Sequence, residues 1–177
     1  MTNKIPNTFA TDIFNIDYQN LKNKGITTLF FDLDNTLIPY DVKILTKEVK
    51  DLLNKLSQDF KILIITNNNQ KRTQLAIGSD FMFLAGARKP FKCGLRKGLT
   101  LTSSTPNQVA AIGDQVMTDV LGAKNMGFYS ILVNPVDQNS EGIPTKINRW
   151  RERRVLKRIK RKNPTLFEEK FSDFNVF

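Results

Sequence analysis

An α/β fold built on a parallel sheet is the class this chain predicts, and three observations predict it. Short apolar runs alternate with segments whose apolar residues recur at helical spacing. Acidic, hydroxyl and lysine residues follow those runs, at the carboxyl ends of strands, where open α/β sheets place their active sites. None of the runs approaches the roughly 18 apolar residues of a membrane span, so they are strands of a folded core.

The elements follow in order. Residues 1–24 form a weakly patterned lead-in, read as one helix with Gly25 at its end. Residues 26–31 are β-branched and aromatic without interruption, as in a strand buried on both faces. Val49, Leu52, Leu53 and Leu56 give residues 46–60 a helical stripe. A second strand covers 61–65, a short helix 70–77 ends near Gly78, and a third strand covers 81–84. Residues 91–101 read as a helix despite two glycines. The fourth strand spans 109–112, a helix over 118–126 is ended by Gly127, and the fifth strand spans 128–133 before Asn134-Pro135. The polar turn at 137–144 divides a body, 1–145, from a C-terminal extension, 146–177.

The chemistry is concentrated first at Asp32-Leu33-Asp34-Asn35-Thr36. Side chains alternate along a strand, so Asp32 and Asp34 can point the same way where the first strand ends. Two carboxylates at one strand tip repel unless a proton or cation lies between them. That suits a nucleophile, a proton shuttle and a divalent metal, although an acidic loop would show the same residues. Leu63-Ile64-Ile65-Thr66-Asn67 ends a strand in a threonine, Arg88-Lys89-Pro90 supplies a lysine, and Gly113-Asp114 is followed by Asp119.

These four pieces, in this order, resemble the D-x-D-x-T, Thr/Ser, Lys and G-D-x-x-x-x-D motifs of the haloacid dehalogenase (HAD) superfamily. Asp34 to Pro39, Gly113-Asp114-Gln115, Thr118 to Gly122 and Tyr129 to Val133 resemble a narrower group. It is the minimal-cap bacterial branch of subfamily IIIA called YqeG-like, which is related to mitochondrial phosphatidylglycerophosphate phosphatase. The resemblance implies a Rossmannoid sheet with strand order 5-4-1-2-3 and helices on both faces. It implies Asp32 as nucleophile through an aspartyl-phosphate, and Asp34 as general acid/base. Thr66, Asn67 and Lys89 would bind the transferring phosphate, Lys89 neutralising its developing charge. Mg²⁺ would be held by Asp32, the Asp34 carbonyl and Asp114, with Asp119 as a further ligand or orienting group. Asn35 and Thr36 are expected to shape the loop. Neither interval between motifs, 34–66 or 67–89, has room for a cap domain, so an open site is expected.

Composition excludes rivals. The chain has no histidine, which removes Ser-His-Asp hydrolysis, histidine phosphatase chemistry and histidine metal sites. Cys93 is the only cysteine and lacks the arginine six positions on that a cysteine phosphatase requires; Leu99 stands there. A single cysteine forms no internal disulfide, and residues 1–6 lack the apolar stretch of a signal peptide. Together these predict a cytoplasmic protein, and the basic run of residues 146–162 adds a peripheral place on the inner face of the membrane. There is no P-loop and no G-x-G-x-x-G fingerprint.

The net charge of +10 is uneven: residues 146–162 hold ten basic residues against one acidic. Such a run favours anionic lipid surfaces and nucleic-acid phosphates alike. Its apolar residues, Ile147, Trp150, Val155, Leu156 and Ile159, do not fall on one narrow stripe. Phe167, Phe171, Phe174 and Phe177 recur at helical spacing beyond Pro164 and are expected to pack on the body. The pocket is expected to lie between Asp32 and Asp119, outside this extension.

The reading is thus a Mg²⁺-dependent phosphatase, and the narrower resemblance implies a phosphorylated lipid headgroup, phosphatidylglycerophosphate, as the substrate, giving phosphatidylglycerol. The alternatives are a phosphatase of nucleic-acid ends or phosphoproteins, and a basic nucleic-acid- or ribosome-binding protein with an inactive HAD body.

Overall fold

The computed structural model describes residues 2–137, 139, 143–171 and 173–174. Six strands form one sheet: β1 (Thr8–Ala10), β2 (Thr28–Phe31), β3 (Lys61–Ile65), β4 (Phe83–Leu84), β5 (Val109–Gly113) and β6 (Tyr129–Val133). Their spatial order is β1-β6-β5-β2-β3-β4, and every pairing is parallel. The five strands legible in the sequence keep the order 5-4-1-2-3. The sixth, β1, adds to the β6 edge with Thr8 opposite Ile131.

That strand corrects the reading of residues 1–24 as a helical lead-in. Asp12 caps a short 3-10 turn by accepting from the backbone N–H of Phe14 and Asn15, and Asp17 caps α1 (Tyr18–Asn23). Three residues of strand are too few to show a period.

Alternation on the strands separates two cores. Leu29, Phe31, Ile62 and Ile64 face a layer that includes Leu21 of α1, Val49 and Leu53 of α2 (Lys47–Leu56), and Ala76 and Ile77 of α3 (Gln70–Ile77). Phe30 and Leu63 face the other way, onto Leu95 of α4 (Lys92–Thr102) and Ala123 of α5 (Leu121–Met126). Being covered on both faces, β2 is buried at all its positions, which is why its sequence is continuously apolar.

Two predicted helices have informative details. The glycines of α4 are points of close approach. A Cβ on Gly94 would lie 2.1 Å from the Ala87 carbonyl oxygen, and one on Gly98 2.8 Å from the Phe30 ring. The predicted helix over 118–126 is two pieces: a π-helical turn, Val116–Val120, leads into α5. Gly127, with φ 77°, ends α5.

The C-terminal extension packs on the body. Helix α6 (Ile143–Lys162) and helix α7 (Pro164–Phe171) bury Leu156, Ile159, Phe167 and Phe171, with Phe174 after them, against Val116, Val120 and Leu132. Phe177 and residues 138 and 140–142 of the turn region lie outside the described residues. Among the described residues, the buried positions of α6 run 149, 152, 156 and 159, a helical stripe whose first half is Arg149 and Glu152. Two charged members hide that stripe from any hydropathy count. Exposed Trp150 carries the Arg154 guanidinium 3.9 Å above its ring. No helix among the described residues is long and apolar enough to cross a membrane.

If the extension is part of the folded body, truncating its most buried aromatic must weaken the whole. Phe171→Ala removes a ring stacked on Phe167 and lying beside Phe174. It is expected to lower the free energy of unfolding by about 3–5 kcal/mol in urea titration. A loss below about 1 kcal/mol would mean that the contact contributes little.

Candidate active site

Register brings the functional loops together. Phe31 pairs with Ile64 on one side and Ile112 on the other, so the central strands end at nearly one level. Asp32, Thr66 and Asp114 follow at that edge. The Asp32 N–H still donates to the Ile112 carbonyl at 2.9 Å, which holds its carboxylate at the sheet end. The chain then turns tightly: Asn35, at φ 63°, donates its N–H to Ile38, and the Leu37 N–H returns to Leu33. Asparagine tolerates that left-handed conformation. The Thr36 hydroxyl does more than shape the loop, since it donates to Asp114 Oδ1 at 3.1 Å.

Three buried carboxylates meet here. Asp32, Asp114 and Asp119 each offer an oxygen, and these atoms lie within 4.8 Å of one another. The Lys89 ammonium sits among them, 2.8 Å from Asp32 Oδ1 and 2.6 Å from Asp119 Oδ1. Asn67 places that lysine: its side-chain oxygen accepts from the Lys89 N–H at 2.6 Å and its amide donates to the Lys89 carbonyl at 3.0 Å. Asp119 is fixed by the Gln115 N–H and the Thr118 hydroxyl on Oδ2. Its approach explains Gly113, where a Cβ would come within 2.3 Å of the Asp119 carboxyl carbon.

Burial and crowding set the charges. Burial pushes the Asp32 carboxyl well above the usual carboxylate range; Lys89 opposes this, while Asp119 and Asp114 add to it. Burial also acts to lower Lys89, but Asp119 and Asp32 outweigh it and hold the ammonium charged. Asp114 is raised to about 6 by burial, against the lowering effect of Arg149. Hard carboxylate oxygens in excess over the nearby cations are the donor chemistry of a divalent ion such as Mg²⁺, and these residues fit one. A bound cation would return Asp32 and Asp114 to their anionic forms.

Asp34 stands apart from that cluster. Its Oδ1 accepts from Arg72 at 3.1 Å and its Oδ2 from Asn68 at 3.2 Å, with the Thr66 hydroxyl 3.5 Å away. The metal contact expected of Asp34 is through its carbonyl, and its carboxylate is engaged by these three donors. Thr66 itself is buried, and its hydroxyl oxygen accepts the Asn68 N–H.

The cleft above these groups has a volume of about 240 Å³. Asp32, Asp34, Thr66, Asn67 and Lys89 form its floor and walls, and Tyr40, Asn68 and Gln115 also line it. Asn148 lines it as well, beside Thr145, which corrects the expectation that the pocket lies outside the extension; α6 runs across the expected boundary at 145/146. Asn148 donates to the Gln115 side chain at 3.3 Å. Behind it, Arg149 donates to the Asp114 carbonyl at 2.7 Å and to the Asp114 carboxylate. The intervals expected to lack a cap hold α2 in one case, and α3 and β4 in the other.

Sequence reasoning therefore missed Asn68, Arg72, Thr145, Asn148 and Arg149. Arg72 carried one usable signal, its place in the first turn of a helix that follows the second motif. Arg149 carried none, being one of ten basic residues in its run.

A buried carboxylate beside a lysine and two further aspartates, at the carboxyl edge of a parallel sheet, is the arrangement of a HAD-type phosphatase. The chain belongs to the HAD superfamily, and it is 34% identical over 169 residues to the probable phosphatase YqeG of Bacillus subtilis, covering 93% of this chain and 96% of that one. Residues 86–141 match the HAD-hydrolase-like family. Among solved structures, a HAD-like hydrolase from Porphyromonas gingivalis aligns at TM-score 0.53 and 13% identity, over 72% of this chain and 98% of that one. Cobalt-bound deoxy-D-mannose-octulosonate 8-phosphate phosphatase from Haemophilus influenzae aligns at TM-score 0.52 and 14% identity, over 72% and 77%. Both structures share the fold.

The raised carboxyls have a consequence for stability. Burial lifts Glu152 from 4.5 to about 7, and Asp114 from 3.8 to about 6. The folded protein therefore binds these protons more tightly than the unfolded chain does. Their contribution to stability is complete below about pH 4 and is lost as pH rises through about 6 to 7. The urea midpoint of the metal-free protein is expected to fall across that window; a midpoint that is flat or rises would contradict these assignments.

Proposed function

We propose that the chain is a Mg²⁺-dependent phosphomonoesterase that works through an aspartyl-phosphate on Asp32, with phosphatidylglycerophosphate as its substrate. The observation that carries this reading is the Lys89 ammonium bridging Asp32 and Asp119 beside Asp114. A carboxylate attacks phosphorus without a base to activate it. Asp32 forms the new O–P bond as the ester P–O bond breaks, and Asp34 gives its proton to the leaving alkoxide. Asp34 then takes a proton from the water that attacks the aspartyl-phosphate, which releases phosphate and restores Asp32. Arg72 and Asn68 orient Asp34 for both transfers. Lys89, Thr66 and the Asn67 backbone offer positive charge and donors to the phosphoryl oxygens. Mg²⁺ on Asp32, Asp114 and the Asp34 carbonyl, with Asp119 behind, would supply further charge neutralisation at the phosphate.

The lipid assignment rests on the line of α6. Its N-terminal half lines the cleft through Thr145 and Asn148, and the same helix goes on to expose Arg151, Arg153, Arg154, Lys157, Arg158, Lys160, Arg161 and Lys162. A helix lying on an anionic bilayer by that face gains about 1 kcal/mol per basic residue near the surface. It would bring an open cleft close to headgroups. Nucleic-acid phosphates would meet the same charges, so the test must include them.

Phosphate release is to be measured with Mg²⁺ and with EDTA on phosphatidylglycerophosphate in anionic vesicles, on 5′- and 3′-phosphorylated DNA and RNA, on a phosphopeptide and on small phosphate esters. Turnover is expected to be fastest on the lipid, to vanish in EDTA and to fall at least about 10³-fold in Asp32→Asn. Preferential turnover of nucleic-acid ends would replace the lipid by that substrate. No turnover on any member would favour the binding-protein alternative.

A further inference from the structure

We propose that Arg149 is a positioning residue for the divalent-metal site: it holds Asp114 in the orientation that presents a carboxylate oxygen to the cation. The inference rests on the metal reading above. Asp114 is wholly buried and held from two sides. Thr36 donates to Oδ1 at 3.1 Å, and Arg149 Nη2 donates to Oδ2. Arg149 Nη1 donates to the Asp114 carbonyl at 2.7 Å, so one guanidinium grips both the main chain and the side chain of the same residue. Rotation about either Asp114 side-chain bond would break one of these contacts.

A rival role for the same arginine is competitor, a cation that must leave before a metal enters. The surroundings argue against it. Arg149 Nη1 also donates to Glu152 Oε2 at 3.0 Å, and Glu152 is wholly buried. The other Glu152 oxygen accepts the Met117 N–H at 3.2 Å, within the π-helical turn between Asp114 and Asp119. Withdrawing the guanidinium would leave two buried carboxylates without their counter-ion. Arg149 is thus a fixed part of the site, and the cation must bind with it in place. Hydrogen-bonded partners behind a metal ligand commonly govern affinity in this way. The chain joins them through α6, so the extension acts on chemistry at a residue far away in sequence.

The test is calorimetric titration of the full chain with Mg²⁺, without substrate. Arg149→Met keeps length and removes the fork; Arg149→Met with Glu152→Gln keeps the net charge of wild type and leaves no unpaired buried glutamate. Both are expected to bind Mg²⁺ roughly 10- to 100-fold more weakly than wild type. Arg149→Lys, which keeps the charge without the planar fork, should fall between. Arg151→Met, an exposed neighbour, should match wild type. Unchanged or tighter Mg²⁺ binding in the double variant, with a cooperative unfolding transition retained, would overturn the positioning role and assign Arg149 as a competitor or bystander. Failure of wild type itself to bind Mg²⁺ would instead overturn the metal reading, and this inference with it.

Discussion

Three carboxylates within 4.8 Å of each other, all buried, can coexist only if cations or protons stand among them. The Lys89 ammonium between Asp32 and Asp119, and the Arg149 guanidinium on Asp114, meet much of that demand from within the chain. Most of the local structure serves their placement. Asn67 clamps the backbone of Lys89 through both of its amide atoms. Gly94 lets α4 press against Ala87, two residues before the lysine. Gly113 makes room for the Asp119 carboxylate. The remaining shortage of positive charge is what a divalent ion would fill, and its charge would in turn draw an anionic phosphoryl group.

The sheet supplies the frame and the helices supply the partners. In-register parallel strands put Asp32, Thr66 and Asp114 at one edge, although the first and last are far apart in the chain. Helix α3 returns Arg72 to Asp34. Helix α6 returns Arg149 to Asp114 and sets Asn148 at the rim. With no cap domain between the motifs, the wall that a cap would provide is furnished in part by the C-terminal helix.

Legibility in the sequence followed the range of the interactions involved. Strands β2, β3, β5 and β6 were readable because burial on both faces demands unbroken apolar runs. The aspartates, Thr66 and Lys89 were readable because each lies next to such a run or between two of them. β1 was not, since its three residues are specified by pairing with β6. The π-helical turn was not, because a helical period does not show a one-residue widening at Gln115. Arg149 and Glu152 were hidden for a physical reason: they occupy the core-facing stripe of α6 as an ion pair, in a run where charge ordinarily means solvent. Only the three-dimensional proximity of Asp114 distinguishes Arg149 from the exposed arginines beside it.

In the proposed reaction Asp32 is the nucleophile that accepts the phosphoryl group, and Asp114 and Asp119 only support it. Acid quenching during turnover, borohydride reduction and peptide mass spectrometry locate an acyl phosphate by converting its aspartate to homoserine. That conversion is expected at position 32 and nowhere else. Conversion at Asp34, Asp114 or Asp119, or an unmodified Asp32 under conditions of steady phosphate release, would contradict it.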